Sequence, residues 1–211
     1  LLACGAEQKA SFCLSKRGHA FPSQHMGDLK NAETLENWER QIEHFSALYD
    51  ISPAAIACDL HPDYLSTAYA EERAQSCGVP LLRVQHHHAH MAACMADNGL
   101  EGECLGLIWD GTGCGTDGRI WGAEVLAGGY GSFRRVGTMR PVALAGGDAA
   151  IRDIWRAGLA MLPDAGLDTG RFEDEPGCGT VLRMLEKGVN SPPSSGMGRL
   201  FDGAAAILGI R

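Results

Sequence analysis

Residues 79–99 of the chain are VPLLRVQHHHAHMAACMADNG. An apolar run precedes the four histidines and an amphipathic run follows them, a pattern that predicts a strand, a tight turn and a helix. On that helix, His86 and His90 are four residues apart and share one face. Two imidazoles at this spacing can bind one metal ion. The segment therefore predicts a strand–helix unit with a metal site where the helix begins.

Histidine-rich tracts also occur as purification tags and as solvated loops. This tract is internal and flanked by apolar periodic segments, so neither explanation fits it. Histidines at the start of a helix also face the positive end of its dipole, which favours the neutral form that binds metals. The sequence leaves three roles open for His87 and His88: orienting the ligands, contacting substrate, or packing.

A further candidate ligand, Asp110, follows the apolar run 105–109. The run predicts a strand that Asp110 closes, so the carboxylate could reach the metal from the neighbouring strand. Sites in α/β sheets lie beyond the carboxyl ends of strands, and the histidines and Asp110 both fall at such ends.

Residues 111–118 predict a glycine-rich turn between two strands. A P-loop and a dinucleotide-binding fingerprint both require a following helix, so this turn is neither. Its backbone N–H groups could surround a phosphate, and an ordinary hairpin turn is the alternative. Residues 146–148 and 194–196 are weaker motifs, because helix capping explains both.

Strands alternate with helices along the chain, which predicts an α/β fold with parallel strands. The helix at 32–49 has a buried stripe that includes Trp38 and Phe45, with Asn31 as its cap. Strand–turn–strand units open both halves, so we expect two related lobes, 1–103 and 104–211. The predicted strands are 1–4, 11–15, 19–21, 54–58, 79–85, 105–109, 121–126 and 133–138. The other predicted helices are 64–77, 86–98, 149–162, 180–187 and 198–208. The segments 164–177 and 190–196, rich in Gly, Pro, Asp or Ser, are predicted loops.

The composition excludes several function classes. A net charge of −8 without a basic stripe argues against a nucleic-acid partner, and no apolar run approaches the length of a membrane span. The eight cysteines contain no C-x-x-C pair, which favours a reducing cytoplasm, and those in apolar runs (Cys13, Cys58, Cys94 and Cys104) are expected to pack as small hydrophobic residues. Because the chain begins with Leu1 rather than Met, we expect a fragment of a longer polypeptide.

Several motifs in order along the chain resemble one family. They are GAEQK at 5–9, SQHMGDL at 23–29, VQHHHAH at 84–90, DGTG at 110–113, GGD at 146–148 and SSGMGRLFD at 194–202. This set resembles the C-terminal domain of the HypF family of [NiFe]-hydrogenase maturation carbamoyltransferases, which is related to the tRNA threonylcarbamoyl transferases. The resemblance implies an α/β, actin/sugar-kinase-like (ASKHA) fold of two lobes, with mixed sheets flanked by helices, here truncated at both ends.

The resemblance also implies the site. A divalent metal, zinc or iron, would be held by His86, His90 and Asp110, which would act in catalysis through it, and a last acidic ligand is expected beyond Arg211. The residues expected to bind nucleotide or substrate are Lys9, Gly111, Thr112, Gly113, Gly146, Gly147, Asp148, Gly198 and Asp202.

By the same resemblance, this domain would pass a carbamoyl group from ATP-derived carbamoyl-adenylate to the C-terminal cysteine of HypE, for the cyanide ligands of hydrogenase. Other domains of the same polypeptide would form the adenylate, and none of the eight cysteines would be essential. Two alternatives remain: an O-carbamoyltransferase of a small metabolite, and a non-catalytic docking module that binds metal and nucleotide. A tRNA-modifying role is disfavoured by the acidic charge.

Overall fold

The computed structural model describes residues 1–210. These residues form two compact units, Leu1–His86 and the part from His87 onward. The division falls at the first residue of the histidine helix, whereas the sequence places the lobe boundary at 103/104. That boundary stays a prediction, and Arg211, the last residue of the predicted second lobe, lies outside the described residues.

The first unit contains a five-stranded mixed sheet in the order β3-β2-β1-β4-β5. Its strands are β1 (Leu2–Ala3), β2 (Cys13–Lys16), β3 (His19–Pro22), β4 (Ile56–Asp59) and β5 (Leu81–Val84). The first three strands pair antiparallel, as short hairpin connections allow. Strands β1, β4 and β5 are parallel, because helices connect them and return the chain to the same end of the sheet.

Two helices, α1 (Ala32–Leu48) and α2 (Leu65–Cys77), belong to this unit. Asn31 caps α1 as predicted, its side chain accepting the N–H of Thr34 at 3.0 Å. Trp38 of α1 is fully buried in the core that includes Leu2, Leu14 and Ile56, which confirms the predicted apolar stripe.

The second unit contains another mixed sheet. Its strands are β6 (Cys104–Cys114), β7 (Ile120–Gly128), β8 (Phe133–Thr138), β9 (Val142–Ala143) and β10 (Pro193–Ser194). The main path is β6-β7-β10-β9, and β8 pairs with β7. Strand β7 is therefore the central strand, with β6 along one edge and both β8 and β10 along the other.

Helices flank this sheet. They are α3 (His86–Asp97), α4 (Ala149–Arg152), α5 (Trp155–Asp164), α6 (Cys178–Lys187) and α7 (Met197–Ile207), with a short 3₁₀ turn at Gly170–Phe172. Met91 and Met95 of α3 pack against Ile108, Trp121 and Leu126 of the sheet. This packing fixes α3 over β6 and β7.

The structure corrects three predictions. Strand β6 does not end at Asp110 but continues to Cys114, with an irregular register between Trp109 and Gly113. The predicted loop 190–196 contains β10, because its backbone pairs with both β7 and β9. The predicted helix 149–162 is interrupted at Asp153, whose φ of −102° and ψ of 77° are not helical. Aspartate competes with the helical backbone for hydrogen bonds, and here its carboxylate accepts a bond from Arg156 at 3.1 Å.

A search of residues 1–210 for membrane spans finds no helix that is both long enough and apolar enough to cross a bilayer.

All eight cysteines are free thiols, but their surroundings differ. Cys58 is buried as predicted, whereas Cys94 is exposed and the prediction for it is wrong. Burial raises the pKa of the Cys4 thiol to about 12, with the neighbouring Cys58 adding to the effect. Because the thiolate is the reactive form, Cys4 is chemically inert in the folded protein.

We predict that iodoacetamide at pH 8 labels Cys77 and Cys94 in the native protein, and that it labels Cys4 on the order of a thousandfold more slowly, because so little of the buried thiol is ionised. Peptide mass spectrometry after timed labelling measures each rate, and labelling in denaturant serves as the control. A Cys4 rate within tenfold of the Cys77 rate would contradict this description of the core.

Candidate metal centre

The histidines follow β5 directly, since Val84 ends the strand and His86 begins α3. His86 and His90 are one helical turn apart, so the helix itself brings their rings together. One ligand atom from each of His86, His90 and Asp110 lies within 4.8 Å of the others. The structure thus brings together the three ligands expected from the sequence.

The donor set suits a divalent metal. It offers two imidazole nitrogens and one carboxylate oxygen, which is the mixed set found in mononuclear zinc and iron sites. His86 and Asp110 are half-buried and His90 is exposed. An ion held here would therefore have protein ligands on one side and an accessible side left for substrate.

Asp110 is held by the backbone that follows it, and His87 lies nearby. Its Oδ1 accepts the N–H of Gly111 at 2.7 Å, and its Oδ2 lies 3.8 Å from His87 Nε2. His87 is fully buried, with its ring centroid 6.1 Å from that of Trp121. His87 is therefore a buried neighbour of Asp110, and an orienting role for it stays a prediction.

His88 has a different environment. Its Nε2 donates a hydrogen bond to the carbonyl of Gly129 at 2.7 Å, and its ring lies 4.7 Å from that of Phe133. The side chain is buried and ties α3 to the β7–β8 turn. His88 is accordingly a packing residue.

The sequence reasoning missed Asp59. This residue ends β4 and pairs in register with Val84 of the parallel strand β5. Its Oδ2 lies 2.7 Å from His86 Nδ1. The sequence did contain a clue, because a carboxylate at the end of one parallel strand is expected beside whatever follows the end of the next.

Two glycines, Gly122 and Gly196, allow the backbone to pass closely beside Asp110. A Cβ atom added to Gly196 would overlap the carbonyl oxygen of Gly111, and one added to Gly122 would overlap Gly196 and the Asp110 carbonyl. A Cβ on Gly198 would lie 3.5 Å from Gly111 Cα. Two motifs that are far apart in sequence, DGTG and SSGMG, are therefore adjacent in the second unit.

The other residues expected to bind nucleotide have separate surroundings. Gly113 pairs with Trp121 inside the sheet, Gly146 donates its N–H to the Asn190 carbonyl at 2.7 Å, and Asp202 pairs with Arg199 at 3.0 Å. Lys9 is exposed in the first unit, with a φ of 50°. Asp148 begins α4 without a side-chain capping bond, so the capping explanation of residues 146–148 is wrong for its side chain.

A buried carboxylate, Glu124 of β7, anchors the glycine-rich backbone. It is 1% exposed and accepts hydrogen bonds from the N–H of Gly122, the hydroxyl of Ser195 and Nε of Arg135. Burial alone would raise the pKa of Glu124, but these bonds, that of Arg135 foremost, outweigh it and hold the pKa below its usual value. Arg135 also lies over the Trp121 ring at 4.2 Å. The one charged residue inside the apolar run 120–128 could have identified this network from the sequence.

Two protein-family models match successive parts of the chain. Residues 1–97 match the family model described as the HypF Kae1-like domain, and residues 106–211 match the carbamoyltransferase, Kae1-like domain, second subdomain. The chain is 45% identical over 214 residues to carbamoyltransferase HypF2 of Cupriavidus necator and 42% identical over 215 residues to carbamoyltransferase HypF of Rhodobacter capsulatus. These matches cover 100% of the chain but only 26% and 29% of the two relatives.

The fold is also that of a solved structure. The crystal structure of full-length HypF in the phosphate- and nucleotide-bound form superposes with a TM-score of 0.91 at 38% identity. The superposition covers 100% of this chain and 28% of that one. The expected α/β fold with mixed sheets flanked by helices is thereby confirmed.

We predict that Glu124→Ala lowers the free energy of unfolding by about 3 kcal/mol, because it removes one partner of a buried ion pair. Glu124→Gln should cost about half as much near pH 7, since it keeps one acceptor oxygen. Chemical denaturation measures both, with the exposed Glu103→Ala as the control.

The pH dependence gives a further check. A carboxyl group with a lowered pKa contributes stability above its ordinary value of 4.5, and this is lost as the pH falls through the folded-state pKa. The difference in the free energy of unfolding between wild type and Glu124→Gln should therefore become smaller below pH 4.5. A difference that stays constant down to pH 3 would show that the charge of Glu124 contributes nothing.

Proposed function

Since the chain belongs to the HypF carbamoyltransferase family, we propose that it is the carbamoyl-transferring part of such an enzyme. The substrate is carbamoyl-adenylate, and the acceptor is the thiol of the C-terminal cysteine of HypE, whose carbamoyl group later becomes a cyanide ligand of [NiFe]-hydrogenase. The observation that carries the proposal is the cluster of His86, His90 and Asp110 beside the glycine-rich backbone.

The adenylate is expected to bind where the two glycine-rich motifs meet. Gly111 has open space where a side chain would lie, directly after Asp110, which leaves room for a phosphate. The related full-length HypF has been crystallised with phosphate and nucleotide, which supports a nucleotide-binding role. Lys9, the segment 146–148 and Asp202 are proposed to complete the binding of nucleotide or substrate.

The transfer step needs no nucleophile from this chain. The acceptor sulfur attacks the carbonyl carbon of carbamoyl-adenylate, a C–S bond forms, and the C–O bond to the phosphate breaks. The products are the S-carbamoylated acceptor, AMP and a proton. The inert, buried thiol of Cys4 is consistent with a nucleophile that arrives with the partner.

His86, His90 and Asp110 would hold the divalent metal, zinc or iron. When bound, such an ion supplies Lewis acidity that neutralises negative charge on the leaving phosphate. The residues of the chain would set its position: α3 fixes the two imidazoles, while the Gly111 N–H donates to the carboxylate of Asp110 and His87 lies 3.8 Å from it. Asp110 thereby connects the metal ligands to the backbone that would hold the adenylate.

The chain spans about a quarter of the relatives it matches, so further domains of the same polypeptide are proposed partners. HypE is the proposed acceptor protein. The acidic net charge of −8 gives no support to a nucleic-acid partner.

We predict that the intact protein binds about one zinc or iron ion at this site, and that His86→Ala, His90→Ala and Asp110→Ala each weaken metal binding by a hundredfold or more, because each removes one of the three ligands that this chain would supply. Metal content by mass spectrometry after dialysis measures this, with the exposed His44→Ala as the control. A folded wild type without metal at this site would refute the Lewis-acid role.

We also predict that carbamoyl transfer to a cysteine-ended peptide requires the three ligands and survives each single Cys→Ala substitution in this chain. The assay uses the whole polypeptide, whose other domains would form the adenylate, supplies carbamoyl phosphate and ATP, and detects the added carbamoyl mass on the peptide. Transfer to a small hydroxylated metabolite instead would favour an O-carbamoyltransferase. Absence of any transfer by metal-loaded protein would favour a docking module.

A further inference from the structure

The contacts of Asp59 assign it a function that no sequence motif indicates. We infer that Asp59 is a positioning residue for the metal centre, which fixes the tautomer and orientation of His86 without binding the metal itself. This inference rests on the proposed metal site and adds to it a carboxylate from β4.

The position of Asp59 follows from strand pairing. Strands β4 and β5 are parallel and in register, with Asp59 opposite Val84 at their shared carboxyl end. Two residues after Val84 the chain enters α3 at His86. The carboxylate and the imidazole therefore extend from the same edge of one sheet, 2.7 Å apart.

The second oxygen of Asp59 is also engaged. Oδ1 accepts the backbone N–H of His61 at 2.9 Å, and the Thr67 hydroxyl donates to the Asp59 carbonyl at 3.5 Å. The His61 ring stacks on Tyr64 with centroids 4.1 Å apart and planes at 3°. The side chain of Asp59 is 6% exposed, so it has little freedom to turn toward a different partner.

The chemical consequence concerns the two nitrogens of His86. A carboxylate can only accept hydrogen bonds, so the imidazole nitrogen facing it, Nδ1, carries the proton. The other nitrogen, Nε2, then has the lone pair that a metal requires. Asp59 is not part of the cluster of His86, His90 and Asp110, whose ligand atoms lie within 4.8 Å of one another, so it acts through His86 rather than as a ligand.

Replacement by asparagine provides the sharpest test, because it keeps the shape of the side chain and changes only its hydrogen bonding. Asparagine has one acceptor oxygen, and His61 N–H and His86 Nδ1–H both need an acceptor. If the amide oxygen faces His61, its NH₂ group faces His86 and stabilises the opposite tautomer, with the proton on Nε2. An isosteric variant should then weaken metal binding while leaving the fold intact.

The experiment uses the intact protein and three substitutions: Asp59→Asn, Asp59→Ala and the control Asp63→Asn, an exposed carboxylate of the same loop. Affinities for Zn²⁺ and Co²⁺ are measured against a competing chelator, and the visible absorption of bound Co²⁺ reports on ligand geometry. The metal binding and Co²⁺ absorption assigned to this site are those that the His90→Ala substitution abolishes. Thermal unfolding of the metal-free proteins shows whether each variant is folded.

We expect Asp59→Asn and Asp59→Ala to weaken metal binding by about 10–100-fold and to shift the Co²⁺ spectrum, as is usual when the partner of a metal-binding histidine is lost. Asp63→Asn should bind as wild type does. If Asp59→Ala does not fold, the metal affinity of the isosteric Asp59→Asn variant tests the inference by itself.

Two results would overturn the inference. Binding by folded Asp59→Asn within twofold of wild type would show that Asp59 does not orient His86. Complete loss of the site, as in His90→Ala, would make Asp59 a ligand. Both results differ from failure of the proposed function. In that case the wild-type protein itself would show no metal binding that the His90→Ala substitution abolishes.

Discussion

The buried carboxylate of Glu124 is the interaction on which the second unit depends. It lies inside β7 and accepts hydrogen bonds from three groups: Gly122 in its own strand, Arg135 in β8 and Ser195 after β10. A buried charge is costly unless every lone pair is used, so the strands must come together in one arrangement. That arrangement sets Ser195 beside β7 and thereby brings the SSGMG segment against the DGTG backbone.

The close approach of Gly111, Gly122 and Gly196 follows from this pairing. Side chains at Gly122 and Gly196 would overlap the neighbouring backbone, so only glycine allows the segments to pass at this distance. A side chain at Gly111 would instead meet open space, which leaves the surface next to Asp110 unobstructed.

The four histidines of the tract lie on a single helix but face different surroundings. His86 and His90 are spaced for a metal, His87 lies within reach of Asp110, and His88 donates to the backbone of the β7–β8 turn. Successive helical residues point about 100° apart, so neighbouring histidines in the sequence must face different surroundings. The four side chains form one motif in the sequence but have three distinct roles in the structure.

The sequence by itself determined most of the elements and the candidate ligands. Apolar periodicity gave most helices and strands, and the four-residue spacing of His86 and His90 gave the histidine pair of the proposed metal site, because these are local properties of the chain. Tertiary structure alone decided the rest. It extended β6 through the glycines, formed β10 in a predicted loop, and placed Asp59 and Glu124 against partners 27 and 71 residues away. Such contacts depend on strand order and register, which pair residues across space and leave no periodic pattern in the sequence.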